Sequence, residues 1–185
     1  MDHADHVALI ADGVRGAGTR WLELGCGDGA FTLALADVLG PGGEIVAVDR
    51  DAGALDTMMR RVGARFAGTK VDAVRADFTE GIPYGSFDGV LAANSLHFVR
   101  DRRALLGAVR AVLSAPLANA PRGRLVVVEY DADRGNPWVP YPFSFETWRR
   151  EAVTAGFDEP TLLHRVPSRF LGAIYGAVAL PSGAP

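Results

Sequence analysis

Cysteine is almost absent from this sequence: Cys26 stands alone in 185 residues, so no disulfide can close within the chain, and such thiol usage suits a reducing cytoplasm. Lysine is as scarce, with Lys70 alone, and arginine carries nearly all the positive charge. That charge is not in excess. A formal net charge of −3 gives no electrostatic footprint for nucleic acid or an anionic membrane surface. No apolar run approaches the ~20 residues of a membrane span, and the start, Met1-Asp2-His3-Ala4-Asp5-His6, is acidic where a secretory signal is basic. His3 and His6 stand three apart but lack a third ligand nearby, so no metal site is expected. Neither a Gly-x-Ser-x-Gly elbow nor a phosphate-binding Gly-Lys-Ser/Thr loop occurs. Without repeats or a dividing linker, the chain reads as a single cytoplasmic domain spanning 1–185.

Glycine, by contrast, is concentrated where it has a purpose. The stretch Trp21-Leu22-Glu23-Leu24-Gly25-Cys26-Gly27-Asp28-Gly29-Ala30-Phe31 is a short apolar run, three alternate glycines and the start of an apolar helical pattern. That is strand, tight turn and helix, with a loop whose backbone can approach a ligand and a helix N-terminus turned toward it. Two cofactor classes fit this layout. Gly25, Gly27 and Ala30 satisfy a dinucleotide fingerprint, with Asp49 about 20 residues on. Glu23 favours another reading, because a carboxyl at the end of an apolar strand needs a cation or several donors.

Along the chain, apolar strands alternate with helices. A helix is expected over 3–16, strands at 20–24, 44–49, 70–76, 87–93 and 123–130, and helices at 29–39, 52–65 and 101–114. Asp51 and Ser144 are expected to cap helices at 52–65 and 145–155. The small-residue stretch Ala115–Pro121 reads as a loop, and 131–143 as a loop rich in proline and aromatics. The tail reads as two strands, 160–166 and 169–179, broken at Val166-Pro167-Ser168, a turn short enough to join only antiparallel neighbours. The fold class is therefore α/β: a doubly wound, mostly parallel seven-stranded sheet, helices on both faces, the last strand antiparallel. The charge runs Arg100-Asp101-Arg102-Arg103 and Arg149-Arg150-Glu151 read as solvated helix surface.

The Glu-x-Gly-x-Gly-x-Gly loop, the strand-end Asp49, Asp77-Phe78 and Asn94-Ser95-Leu96-His97-Phe98 together resemble the class I S-adenosylmethionine-dependent methyltransferases. The resemblance implies S-adenosylmethionine as cofactor and S-adenosylhomocysteine as product. It implies that Glu23 faces the methionine ammonium, and that Gly25, Cys26, Gly27 and Gly29 form the loop against methionine and ribose. Asp49, followed by Arg50, would take the ribose, Asp77 and Phe78 the adenine, and Asn94 and Ser95 the sulfonium side. His97 is then the candidate general base or substrate contact, with Tyr130, Tyr141 and Arg169 as candidate acceptor contacts. Trp138 or Phe143 would close over them. Cys26 reads as a small filler of the loop, although a helix N-terminus can lower a thiol pKa and invite alkylation. The acceptor is expected to be a small molecule, without nucleic acid, membrane or metal. An NAD(P)-dependent oxidoreductase and a non-catalytic protein of the same fold remain the alternatives.

Overall fold

A computed structural model describes residues 1–113 and 122–183; the loop expected at 115–121 lies outside the described residues. Helix α1 (His3–Val14) leads into β1 (Arg20–Leu24), α2 (Ala30–Leu39), β2 (Glu44–Asp49), α3 (Ala52–Arg65) and β3 (Lys70–Arg75). Then come β4 (Gly89–Ala93), a 3-10 turn at Leu96–Phe98, α4 (Arg103–Leu113), β5 (Arg124–Tyr130), α5 (Phe145–Thr154), β6 (Thr161–Ser168) and β7 (Gly172–Ala179). The sheet order is β3-β2-β1-β4-β5-β7-β6. The first five strands are parallel, and β7 runs antiparallel to both β5 and β6. The expected seven-stranded α/β sheet is the sheet observed.

The alternation of side chains sorts the core into two layers. Trp21, Ile45, Leu91 and Val126 point to the face covered by α1, α2 and α3. Leu22, Val48, Val90, Leu125 and Val127 point to the face covered by α4 and α5. Gly176 lets α1 lie directly on β7, because a side chain there would meet the Leu9 carbonyl. The predicted caps form: Asp51 Oδ1 accepts from the amides of Gly53 and Ala54 at 2.8 and 3.1 Å, and Ser144 Oγ from Thr147 at 3.2 Å.

Three expectations are corrected. No helix joins β3 to β4 among the described residues; Gly81, Pro83 and Gly85 interrupt that segment, so not every strand is followed by a crossover helix. The break in the tail falls at 169–171 rather than at 166–168. Pro167 lies inside β6, opposite Ala173, and is tolerated there because β6 is the sheet edge. Finally, the two charge runs are not simply solvated surface. Arg102 is buried, donates from Nε and Nη2 to both Glu151 oxygens at 2.8 Å, and lies 4.2 Å over the Phe143 ring. One bidentate pair thus ties α5 to the segment that leads into α4.

Candidate functional site

Parallel strands deliver their C-terminal loops to one edge, and there a cavity of about 410 Å³ opens. Gly25 and Gly27 of the loop after β1 form one wall, with Asp49 and Arg50 after β2 beside them. Ala76, Asp77, Phe78 and Thr79 after β3, and Asn94, Ser95 and Phe98 after β4, complete it. Eight of the residues expected at the cofactor are therefore brought together; Glu23, Cys26 and Gly29 lie outside the cavity wall.

The loop geometry explains its sequence. Gly25, Gly27 and Gly29 have φ of 75°, 53° and 88°, the region where a side chain is strained. A side chain at Gly25 would also meet Ser95 Cβ at 2.7 Å, and one at Gly29 would meet Met58 Cγ at 2.6 Å. Gly29 thus serves packing of α2 on α3, while Gly25 keeps the cavity open. Asn94, with φ 52°, is the only non-glycine residue in this left-handed region among the described residues.

Asp49 is held from both sides. Its Oδ2 accepts from the Gly27 amide at 2.8 Å and its Oδ1 from the Asp51 amide at 2.9 Å. Asp77 Oδ1 accepts from the amide and the hydroxyl of Thr79 at 2.9 and 2.7 Å, bonds that hold its carboxyl below the usual range. Arg50 Nη1 lies 4.0 Å from Asp77 Oδ2, both residues lining the cavity.

Glu23 is a carboxyl group set within the apolar strand β1. It is buried, and Oε2 has no hydrogen-bond partner among the described residues. Burial pushes its pKa up to about 7; the Thr32 hydroxyl opposes that rise from nearby without closing a well-formed bond, and the Asp49 charge adds to it. Asn94 Oδ1 and Ser95 Oγ, on the cavity wall, are likewise buried without partners among the described residues. These polar atoms fit a ligand that brings a cation and hydrogen-bonding groups to the edge of β1 and β4. Cys26 behaves otherwise than a helix N-terminus alone would suggest. Burial, reinforced by Glu23 and Asp49, raises its thiol pKa, so alkylation is disfavoured.

His97 is buried beside this wall. Its Nδ1 lies 2.8 Å from Glu129 Oε2, and its amide donates to Glu129 Oε1 at 3.1 Å. Glu129, fully buried at the end of β5, is absent from the expected site residues. A signal for it exists, since it is a strand-end acid like Glu23 and Asp49. Tyr130, half-buried, packs its ring 5.9 Å from that of His97. Tyr141 is exposed but donates its amide to the His97 carbonyl at 3.0 Å, fixing the loop after β5 against the 3-10 turn. Arg169 is exposed on the turn between β6 and β7. Phe143, a candidate lid, is instead fully buried under Arg102, whereas Trp138 is exposed.

Residues 22–115 match the family described as a methyltransferase domain. The chain belongs to that family, the class I S-adenosylmethionine-dependent methyltransferases. It is 31% identical over 153 residues to a ubiquinone/menaquinone biosynthesis C-methyltransferase of Ectopseudomonas mendocina, an alignment covering 79% of this chain and 56% of the relative. The chain thus spans about half the length of that relative. Its fold is that of the YcgJ protein of Bacillus subtilis, with a TM-score of 0.73, 13% identity and coverage of 98% of this chain and 100% of the other. It is also similar in fold to the magnesium protoporphyrin IX methyltransferase of Synechocystis, solved with bound S-adenosylhomocysteine, at a TM-score of 0.68, 17% identity and coverage of 97% and 81%. Among the described residues no helix is long and apolar enough to cross a membrane, and no cluster of metal-ligating side chains forms.

Proposed function

We propose that the chain is a single-domain, cytoplasmic S-adenosylmethionine-dependent methyltransferase of a small-molecule acceptor, with His97 as general base. The observation that carries the cofactor is Glu23, a buried carboxyl group with an unsatisfied oxygen two residues before the glycine loop. Such a group is stabilised by a cation, and the ammonium of the cofactor's methionine is one. Asp49 suits the two ribose hydroxyls, because the bonds from Gly27 and Asp51 fix its carboxyl and leave further lone pairs to accept. Asp77 and Phe78 flank the place for adenine, and Asn94 and Ser95 supply the remaining polar atoms. The bound cofactor supplies a methyl group activated by a sulfonium, so the chain's own work is alignment and exclusion of water.

His97 has the geometry of a base. With its Nδ1 proton directed at Glu129, Nε2 keeps a lone pair with which to take a proton from the acceptor. A hydroxyl or an acidic C–H must lose its proton to become a nucleophile, and the C-methylation named for the Ectopseudomonas relative is of that kind. Tyr130, Tyr141 and Arg169, around the same loops, are the acceptor contacts in this reading.

Thermal denaturation with S-adenosylhomocysteine, NAD and NADP tests the cofactor. A ligand at about 100 times its dissociation constant stabilises by about 2.7 kcal/mol, a rise of roughly 5–10 °C for a chain of this size. A shift with S-adenosylhomocysteine alone is expected. A shift with a nicotinamide cofactor instead, or none with any of the three, overturns the proposal.

A further inference from the structure

The two charge runs that read as solvated surface meet in a second cavity, of about 340 Å³, lined by the start of α4 and the last turns of α5. Arg100, Arg102 and Arg103 reach it from the segment that opens α4, and Arg150 from α5. Asp101 and Glu151 are the acids on its wall, so two positive charges stand in excess among the lining residues. Arg102 is already committed. Besides its bidentate pair with Glu151, its Nη1 donates to the carbonyls of Val99 and Tyr141 at 2.8 and 3.4 Å. The other three guanidinium groups are loosely held. Arg103 Nε stands 3.9 Å from Asp101 Oδ1, and Arg150 Nη1 3.6 Å from Glu146 Oε1, with all four side chains exposed. Pairs of that kind contribute little. Arg150 Nη2 also donates to the Thr147 hydroxyl at 3.1 Å, and Arg100 has no ion-pair partner among the described residues.

We infer that this second cavity binds a small organic phosphate monoester. A monoester carries a charge of about −1.5 to −2 near neutral pH, which matches the excess on the wall, whereas a lone carboxylate leaves part of it uncompensated. Guanidinium forks bond phosphoryl oxygens in pairs, and three of them converge here from two helices. The first turn of α4 adds its positive end, although Asp101 Oδ1 already accepts the Arg103 amide at 3.1 Å. The volume stands at the lower end of ligand cavities, which run from about 300 to 1,000 Å³. It leaves room for a short organic group beside the phosphoryl oxygens, with Leu106 and Ala155 to meet it, and too little for a dinucleotide. Through Arg102 the wall is joined to the segments flanking the His97 turn. No residue lines both cavities, so occupation here does not depend on what the cofactor cavity holds.

Isothermal titration of the full chain at fixed ionic strength, in a phosphate-free buffer, decides the matter with three probes: n-butyl phosphate, inorganic phosphate and n-butanesulfonate. Saturable one-to-one binding of n-butyl phosphate is expected, several-fold tighter than either of the others. Arg100→Ala and Arg150→Ala, both at exposed positions, should each weaken it about tenfold, as loss of a hydrogen bond between charged groups does. Affinity for S-adenosylhomocysteine should stay the same in both variants and in the presence of n-butyl phosphate. Equal binding of inorganic phosphate assigns the cavity to the free ion and overturns the monoester. Equal binding of the sulfonate shows that one negative charge suffices and overturns the match to a dianion. Absence of saturable binding, or binding indifferent to both substitutions, overturns the site itself. Failure of S-adenosylhomocysteine to bind overturns the methyl-transfer reading alone, since the three probes are read on the free chain.

Discussion

Glu129 grips His97 by two atoms at once: Oε2 meets the ring at Nδ1, 2.8 Å away, and Oε1 takes the His97 amide at 3.1 Å. One buried carboxyl therefore fixes both the position of the backbone turn and the orientation and tautomer of the imidazole. Glu129→Gln offers only one acceptor to those two donors. Turned to keep the amide bond, its NH₂ faces Nδ1 and selects the tautomer with the proton on Nε2, which is useless as a base. Loss of a positioned base costs about 10²–10⁴-fold in rate. The expected outcome, in a methyl-transfer assay with an acceptor in hand, is a fall in kcat of that order with S-adenosylhomocysteine affinity within twofold of the parent. Unchanged turnover removes His97 from the chemistry.

Glu23 makes the free protein sensitive to pH. Its folded pKa of about 7 stands above the ordinary 4.5, so the folded state holds a proton that the unfolded state has released. Stability from this group is complete below about pH 4.5 and is lost as pH rises through about 7. Between those limits the loss is on the order of 3 kcal/mol. Glu23→Gln should therefore be more stable than the parent at pH 8 and no more stable at pH 4.5, as read by chemical denaturation at the two pH values. A cation bound beside Glu23 favours its ionised form, so S-adenosylhomocysteine should bind more tightly as pH rises from 6 to 8. Below pH 7 that binding should release a proton, visible as a buffer-dependent heat in calorimetry.

Asp49 holds the amides of Gly27 and Asp51, and two substitutions separate that structural role from the proposed ribose contact. Asp49→Asn keeps one oxygen for the amides of Gly27 and Asp51, whereas Asp49→Ala keeps none. A hydrogen bond to a charged group contributes about 1.5–3 kcal/mol. Both variants should bind S-adenosylhomocysteine at least tenfold more weakly, and without ligand the alanine variant, which loses both bonds, should lose more thermal stability than the asparagine variant, which loses one. Parental affinity in the asparagine variant removes the ribose assignment.

Gly176→Ala probes how α1 is attached. The added methyl would run into the Leu9 carbonyl, a backbone atom that cannot turn aside. Overpacking of this kind costs about 1–3 kcal/mol. Amide exchange should accelerate first in α1, with the β1–β4 core retaining its protection. Uniform protection across both regions would show that α1 can shift without loss.

The charged pair Arg102–Glu151 lies beyond what local sequence patterns reveal. Each residue sits in a run that reads as solvent-facing, and 49 positions separate them. Only the packing of α5 over Phe143 buries Arg102 and makes the pair.

By itself the sequence determined the strand–loop–helix units, the caps at Asp51 and Ser144, and the strand-end loops that line the cavity, because each rests on local rules. Period-2 and period-3.6 patterning, glycines at positive φ and acids at strand ends are legible within about ten residues. Parallel order then carries Gly25, Asp49, Asp77 and Asn94 to one edge without further information. The tertiary structure alone decided what depends on pairs remote in sequence: that Glu129 meets His97 across 32 positions, that Glu23 Oε2 is left without a hydrogen-bond partner among the described residues, and that Phe98, His97, Tyr130, Phe170 and Trp138 form one row. It also placed Pro167 within an edge strand and buried Cys26. Burial and side-chain contact are properties of the packed sheet, and no short window of sequence contains them.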